Sequence, residues 1–229
     1  GSVNLIARLA IPDDGGNEFS REGSAAHEVA AACLNSGDDA WTHVGDVVKI
    51  DGHSIPVTPE MTDAVQVYPD YARSIATIKA GIFIEHPVGM PELHRDLHGT
   101  LDLGFIHADG ITLEIVDYKH GFGVVEPENN PQLMTYGASL LSRIKHIYTK
   151  IERVKFTIVQ PRAAHPKGPV RSWTVYARDL EKWAAEVLGP AAHATDKPDA
   201  PLTPGAHCHD YYCPARNQCP ALRANFLAD

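Results

Sequence analysis

Two carboxylates and an ammonium group fall at close spacing in the middle of this 229-residue chain. Asp102 ends the run Gly99-Thr-Leu-Asp102, and Asp117 and Lys119 are two residues apart in Asp117-Tyr-Lys119. Side chains alternate across a strand, so Asp117 and Lys119 are expected on one face. Acidic oxygens beside an ammonium group suit Mg²⁺ or Mn²⁺ and a reactive water. This combination fits metal-dependent hydrolysis of a phosphodiester.

A predicted β-hairpin brings these groups together. The strand pattern of Thr100–His107 leads into an Ala108-Asp109-Gly110 turn and a second strand, Ile111–Tyr118. In this hairpin, residues whose numbers add up to about 218 or 219 lie opposite each other, which places Asp102 beside the Asp117 region. Lys119 is then positioned to orient or deprotonate the attacking water.

Two predicted helices supply further polar side chains. Residues 130–148 carry apolar side chains at helical spacing, with Pro131 in the first turn. Gln132 and Tyr136 are four residues apart and share a face of this helix, so Gln132 can reach the metal site and Tyr136 can contact a base or a phosphate. A second helix runs from Arg21 to about Leu34 and carries His27. Taken alone, each of these residues also fits ordinary packing.

The order of the motifs carries more information than any one of them. Gly-x-x-x-His, Gly-x-x-Asp, Asp-x-Lys and Gln-x-x-x-Tyr follow one another between about residues 22 and 136. In this order they resemble the RecB-type branch of the PD-(D/E)xK nuclease superfamily. The resemblance implies a restriction-endonuclease-like α/β core, in which a mixed central β-sheet is flanked by helices.

The resemblance also implies a role for each motif residue. In that family a histidine and two acids bind the catalytic metal, a lysine acts on the water, and a glutamine and a tyrosine shape the site. The corresponding residues of this chain are His27, Asp102, Asp117, Lys119, Gln132 and Tyr136. Glu85, at the end of the apolar stretch Gly81–Glu85, is a weaker acidic candidate for the same site.

Three of the four cysteines, Cys208, Cys213 and Cys219, form a close cluster near the C-terminus. No secretory signal or membrane-length apolar run precedes them, so we expect a bound metal rather than disulfides. Some RecB-like nucleases, including CRISPR-adaptation and AddB-type enzymes, carry a 4Fe-4S cluster on three C-terminal cysteines and one N-terminal cysteine. The Cys213–Cys219 spacing and the following Pro220 resemble that pattern. The gap from Cys208 to Cys213 is longer than in the family, with four intervening residues instead of two.

The fourth ligand of such a cluster has three candidate sources. It is a residue that precedes Gly1, it is Cys33, or the bound metal is zinc and the ligand set includes His207 or His209. Cys33 also fits as a small core residue, because free cysteines are often buried.

The composition fits one globular enzyme domain, with 44% apolar and 21% charged residues. We expect a nuclease domain over residues 1–194 and a linker with a metal-binding cysteine tail over residues 195–229, the linker being Thr195–Pro204. The remaining predicted elements are a helix over Pro59–Lys79, strands over Arg153–Gln160 and Val170–Ala177, and a helix over Arg178–Leu188.

The charge is unevenly distributed along the chain. The net charge is −9, yet residues 140–180 hold nine Lys or Arg residues against two acidic residues, which gives +7 and leaves −16 elsewhere. A basic flank beside an acidic metal cleft is suited to binding phosphates, although a solvated basic surface gives the same count.

These observations predict a Mg²⁺- or Mn²⁺-dependent deoxyribonuclease, more an exonuclease than an endonuclease. The resemblance implies a phage or prophage protein of the bacterial cytoplasm, acting on DNA in recombination or DNA processing, with a phage recombination protein as a further partner and no membrane association. The alternative is a non-catalytic nucleic-acid-binding module with a structural metal tail. Lys119 distinguishes these two hypotheses, because a protein that only binds nucleic acid has little need of a lysine two residues from Asp117.

Overall fold

A mixed five-stranded β-sheet forms the centre of the protein. The computed structural model describes residues 17–75, 80–205, 208 and 213–226. Strands β1 (Val47–Ile50) and β2 (His53–Pro56) form a separate hairpin, and the main sheet comprises β3 (Ala80–Gly89), β4 (His98–Ile106), β5 (Thr112–Tyr118), β6 (Arg153–Val159) and β7 (Val170–Tyr176). Its strand order is β3-β4-β5-β6-β7. Strands β5 and β6 are parallel, and the other neighbours in this sheet are antiparallel.

Helices flank this sheet, and the two that carry site residues begin at asparagine side-chain caps. They are α1 (Glu18–Ser36), α2 (Pro59–Ile75), α3 (Pro131–Ile144), α4 (Ala177–Trp183), α5 (Gly189–Thr195) and α6 (Pro220–Phe226). Asn17 caps α1 by accepting a hydrogen bond from the backbone N–H of Ser20. Asn130 caps α3 in the same way, with Pro131 in the first turn. The predicted α/β class, with a mixed sheet between helices, is confirmed.

The sheet separates two apolar cores. Helices α1 and α2 pack on one face through residues such as Val29 and Tyr68, and α3 packs on the other face through residues such as Leu133 and Leu140. All seven residues of β5 are buried, because alternate side chains of this central strand face the two cores. Each fully buried Leu or Ile side chain contributes about 1.5–3 kcal/mol, so β5 is anchored from both sides.

The β4–β5 hairpin has the predicted register. Leu103 lies opposite Val116 and Gly104 opposite Ile115, pairs whose numbers add up to 219. Asp109 closes the turn by accepting hydrogen bonds from the backbone N–H groups of Ile111 and Thr112. The local turn chemistry therefore fixes the pairing of the two strands that carry the acidic residues.

Other element predictions differ from the structure at their ends. Helix α3 ends at Ile144, four residues before the predicted end, because the chain there turns back on the Ile144 carbonyl. The predicted helix over Arg178–Leu188 is α4 followed by a π-helical turn over Ala184–Leu188. Sequence patterns did not indicate the β1–β2 hairpin, α5 or α6. Helix α5 continues directly from the π-helical turn, because Leu188 and Gly189 keep right-handed helical dihedrals. Pro190 therefore lies inside a continuous helical segment, directly after the π-helical turn, a kind of irregularity that often accompanies a proline within a helix.

Residues 196–204, which follow α5 and make up most of the predicted linker, form neither helix nor strand. Within the described ranges, no helix has both the length and the apolar character needed to cross a membrane.

Candidate metal-binding active site

The two aspartates lie where β4 and β5 separate. The last backbone pair between these strands is Leu103 with Val116. Beyond it, the Asp102 carboxylate accepts a hydrogen bond of 2.8 Å from the backbone N–H of Tyr118. A side chain thus takes the place of the next strand carbonyl, and Asp102 comes to lie beside Asp117 at the opened end of the hairpin.

His27 and Glu85 complete the acidic end of this site. His27 Nδ1 lies 3.4 Å from Asp102 Oδ2. Glu85 lies opposite Asp102 on the neighbouring strand, because its two neighbours, Ile84 and His86, pair with Leu103 and Leu101. One ligand atom from each of His27, Glu85 and Asp102 lies within 4.8 Å of the others.

Glu85 reaches this position through an unusual backbone conformation. Its φ of 44° is in the left-handed region, which costs a non-glycine residue about 1–3 kcal/mol and is often associated with functional sites. Sequence reasoning ranked Glu85 as the weaker acid because strand alternation does not reveal such a residue. The structure groups it directly with His27 and Asp102.

Lys119 links the acids to helix α3. Its Nζ lies 3.0 Å from Asp117 Oδ1 and 3.1 Å from Gln132 Oε1. Gln132 in turn donates to the Tyr136 hydroxyl at 3.3 Å. A Cβ on Gly99 would lie 2.8 Å from the Tyr136 ring, so glycine at the start of the Gly-x-x-Asp motif lets this ring approach β4.

Burial makes these acids hard to ionise. It raises the pKa of Asp102 and of Asp117 to about 6 and that of Glu85 to about 7. Neighbouring carboxylates add to the increase at Asp117 and Glu85, and Lys119 offsets part of it at both aspartates. Burial also lowers the pKa of His27, so its imidazole is neutral and can act as a metal ligand. The positive charge near these three carboxyl groups is therefore too small to keep all of them ionised.

Asp117 has a single close cationic partner among the described residues. The side chain of Asp117 is only 3% exposed, and Lys119 Nζ lies 2.8 Å from its Oδ2 and 3.0 Å from its Oδ1. Asp102 adds negative charge to the same cluster and raises the pKa of Asp117 further. One ammonium group shared by a cluster of carboxyl groups leaves a need for positive charge that a divalent cation would meet.

Comparison with known proteins assigns a family. A family model described as "Protein of unknown function (DUF2800)" matches residues 2–228. The chain belongs to this family. Its description gives no activity, so it does not confirm the nuclease resemblance, and no curated protein matches the chain.

In this DUF2800 member a second layer of polar residues positions His27. The His27 and Tyr118 rings make a T-shaped contact, with 5.4 Å between ring centroids. The Tyr118 hydroxyl lies 2.8 Å from His120 Nδ1, and His120 Nε2 lies 3.3 Å from a Glu22 oxygen that also accepts from Arg162 at 2.8 Å. Sequence reasoning missed His120, Glu22 and Arg162 as site residues, because Arg162 and Glu22 are 140 positions apart and no local pattern connects them.

The basic segment of this DUF2800 chain is largely neutralised by tertiary contacts. Acids from outside residues 140–180 pair with five of its cations, namely Lys145, Arg153, Lys155, Arg162 and Arg171. Arg171 has a side chain that is only 1% exposed and donates to backbone carbonyls. The net charge of +7 counted along residues 140–180 is therefore larger than the basic charge that remains unpaired in the folded protein.

Short-range backbone hydrogen bonds involve two of the tail cysteines. The backbone N–H of Cys213 donates to the Cys208 carbonyl at 3.2 Å, and that of Cys219 donates to the Arg216 carbonyl at 3.4 Å. Cys213 and Cys219 contact the same small apolar cluster around Ala215. Within the described residues, no group of three close ligand atoms includes a cysteine sulfur.

Cys33 lies elsewhere in the fold of this DUF2800 chain. It is 1% exposed and belongs to the core between α1, α2 and the sheet, a cluster distinct from that of Cys213 and Cys219. This placement fits packing better than ligation. His207 and His209, the alternative zinc ligands, lie outside the described residues.

Proposed function

We propose that this protein is a metal-dependent deoxyribonuclease with a PD-(D/E)xK-type core, acting as an exonuclease in phage recombination or DNA processing. The observation that supports it most strongly is the meeting of Asp102, Asp117 and Lys119 where β4 and β5 separate. Lys119 is the one close cation that the described residues place on the buried Asp117 carboxylate, while burial and the Asp102 charge raise its pKa. A purely structural buried acid would be expected to have a larger set of donors.

His27, Asp102 and Asp117 would hold the cation, with Glu85 beside them. One nitrogen and several oxygens suit Mn²⁺ well and Mg²⁺ less well. A divalent ion supplies Lewis acidity in such a site, polarising a phosphoryl oxygen and lowering the pKa of water. It also supplies the positive charge that stabilises the ionised forms of three carboxyl groups whose pKa values are raised by burial.

The protein's own residues orient the nucleophile and the phosphate. Lys119 is held between Asp117 and Gln132, so its ammonium group has a fixed direction at the mouth of the site. From there it orients the attacking water and stabilises negative charge that develops on the phosphoryl group. Tyr136 fixes Gln132, and through it the second contact of Lys119.

Cleavage of end-labelled DNA tests this proposal. With Mn²⁺ or Mg²⁺, Lys119→Ala should lower the cleavage rate about 10²- to 10⁴-fold, the range typical of a positioned acid–base group. Circular dichroism should show an unchanged fold, because Lys119 buries little apolar area. Lys182→Ala, at a lysine on α4 whose side chain is 69% exposed, is the matched control and should cleave at the wild-type rate.

Two results would contradict the assignment. Cleavage by Lys119→Ala at the wild-type rate removes the proposed role of this lysine. Tight DNA binding by wild-type protein with no cleavage in either metal favours the non-catalytic binding module instead.

For the tail, we propose a structural metal cluster on Cys208, Cys213 and Cys219, iron–sulfur rather than zinc. Protein purified without oxygen should be brown, with absorbance near ~400 nm that bleaches on oxidation, as is general for thiolate-bound iron–sulfur sites. Cys213→Ser should remove the colour and expose the tail to proteolysis before the rest of the chain. Cys33→Ser should leave the colour unchanged, since Cys33 packs in another core. Colourless protein with one equivalent of zinc would establish the zinc alternative.

A further inference from the structure

The loop that follows Lys119 is held rigidly by two buried side chains. Gln160 is 1% exposed and makes three hydrogen bonds to the loop backbone, with Gly121, Gly123 and Val125. Arg171 is 3% exposed and donates to the Val125 carbonyl and to Gln160. Buried polar groups of this kind give the loop one defined conformation.

This rigid loop presents apolar side chains to solvent. Phe122 is 62% exposed and Val124 is 48% exposed. The Arg162 guanidinium lies over the Phe122 ring, 4.2 Å from its centroid, in a cation–π contact. Arg162 is itself held by the Glu22 carboxylate at 2.8 Å. One face of the Phe122 ring is thus supported by a fixed cation, and the side chain remains largely exposed.

The ring is close to the proposed catalytic centre. Phe122 follows Lys119 by three residues, a distance that the chain spans in at most about 10 Å. The contacts from Arg162 to Glu22, His120 and Tyr118 also lead back to His27. A DNA strand whose phosphate occupies the acidic site therefore brings its neighbouring base within reach of this ring.

We propose that Phe122, backed by Arg162, is a stacking platform for an unpaired base next to the cleaved phosphate. This inference rests on the proposed nuclease function and names its substrate class as single-stranded DNA. An aromatic ring stacks on any base without reading its sequence. Inside a duplex both faces of a base are already stacked, so the platform favours a single strand or a frayed end over a blunt duplex.

Binding of single-stranded oligonucleotides that contain 2-aminopurine tests the platform, because stacking quenches the fluorescence of this base. Ca²⁺ replaces Mn²⁺ in the binding assay, and a gel confirms that the oligonucleotide stays intact. Phe122→Ala should weaken binding about tenfold, within the range of about 5- to 150-fold for one base–aromatic stack, and should remove the quenching. Phe122→Trp should retain both. Val124→Ala, at the other exposed apolar residue of the loop, is the matched control and should bind as wild type does.

Cleavage kinetics give an independent readout. With Mn²⁺ and single-stranded substrate, Phe122→Ala should raise KM and leave kcat near the wild-type value, as expected when binding is lost equally from ground and transition states. A blunt G·C-rich duplex should show a smaller effect of the same substitution. An equal loss of affinity for both substrates would overturn stacking on an unpaired base.

The outcomes separate this inference from the nuclease proposal. Wild-type affinity and quenching in Phe122→Ala overturn the platform even if the wild-type protein cleaves DNA. Loss of affinity in Phe122→Ala, in a protein that never cleaves DNA, supports the platform and refutes the nuclease. Absence of any DNA binding by the wild-type protein overturns both.

Discussion

Strand β5 carries two buried carboxylates three residues apart, and their surroundings differ sharply. Glu114 is fully buried, and its two oxygens contact four donor groups. These are Tyr71 Oη at 2.6 Å, Thr157 Oγ1 at 2.5 Å, His107 Nε2 at 2.7 Å and Lys155 Nζ at 3.2 Å. Such an acid is part of a complete polar network, which stabilises the fold.

Asp117 has the opposite environment. Among the described residues its carboxylate pairs with a single ammonium group, that of Lys119, which lies 3.0 Å from Oδ1 and 2.8 Å from Oδ2. Asp102 and Glu85 lie nearby and raise the local negative charge further. The comparison teaches that burial alone does not mark a functional acid. A buried acid with a single cationic partner, among other acids, indicates a site that accepts further positive charge.

The largest expected difference between the two acids is in catalysis. Asp117→Asn should lower DNA cleavage about 10³-fold or more, because a lost metal ligand removes several kcal/mol of transition-state stabilisation. Glu114→Gln should cleave DNA at a rate within about threefold of the wild-type rate, after correction for the fraction of the variant that is folded. Initial rates with Mn²⁺ at 25 °C, with circular dichroism as the measure of folding, test both. Equal losses in the two variants would show that Glu114 also serves the reaction.

Stability should respond in the reverse order. Glu114→Gln should destabilise the protein by roughly 2–4 kcal/mol, because Lys155 and other buried donors lose a charged acceptor. In the metal-free protein near neutral pH, Asp117→Asn should be neutral or stabilising, since it removes a buried charge that is poorly compensated. Urea unfolding in EDTA measures both changes. A destabilisation of Asp117→Asn as large as that of Glu114→Gln would mean that Lys119 satisfies Asp117 after all.

The pH dependence of stability sharpens the same contrast. The pKa values of Asp102 and Asp117 rise to about 6, and that of Glu85 to about 7, on folding. Between about pH 4 and pH 7 the folded state therefore binds more protons than the unfolded state, so these groups lower the stability of the metal-free protein as pH rises. Asp102→Asn should flatten this part of the profile in urea unfolding. Mn²⁺ should stabilise the protein more at pH 7.5 than at pH 5.5, because its ligands must be deprotonated. A stabilisation by Mn²⁺ that is the same at both pH values would argue against carboxylate ligands.

The smallest expected effect concerns the nitrogen ligand. His27→Ala should weaken Mn²⁺ binding at least about tenfold, the lower limit seen even for outer-shell partners of metal ligands. Mg²⁺ and DNA binding should change less, since nitrogen suits Mn²⁺ better than Mg²⁺. Titration calorimetry with each metal measures the difference. Equal weakening for Mn²⁺ and Mg²⁺ would remove His27 from the proposed ligand set.

The sequence by itself determined the local part of this site. Turn chemistry at Asp109 and strand alternation gave the β4–β5 register, and with it the neighbourhood of Asp102, Asp117 and Lys119. Helical spacing placed Gln132 and Tyr136 on one face of α3. These features depend on residues close together along the chain, so periodicity is enough to find them.

Only the tertiary structure decided which groups are satisfied and which are not. The positive φ of Glu85 and the contact of Arg162 with Glu22 depend on how distant segments pack. The same packing neutralises much of the basic segment, and among the described residues it surrounds Glu114 with four donor groups and leaves Asp117 with Lys119 as its one cationic partner. Hydrogen bonding and burial are properties of neighbours in space, and for a buried carboxylate they determine whether it serves stability or chemistry.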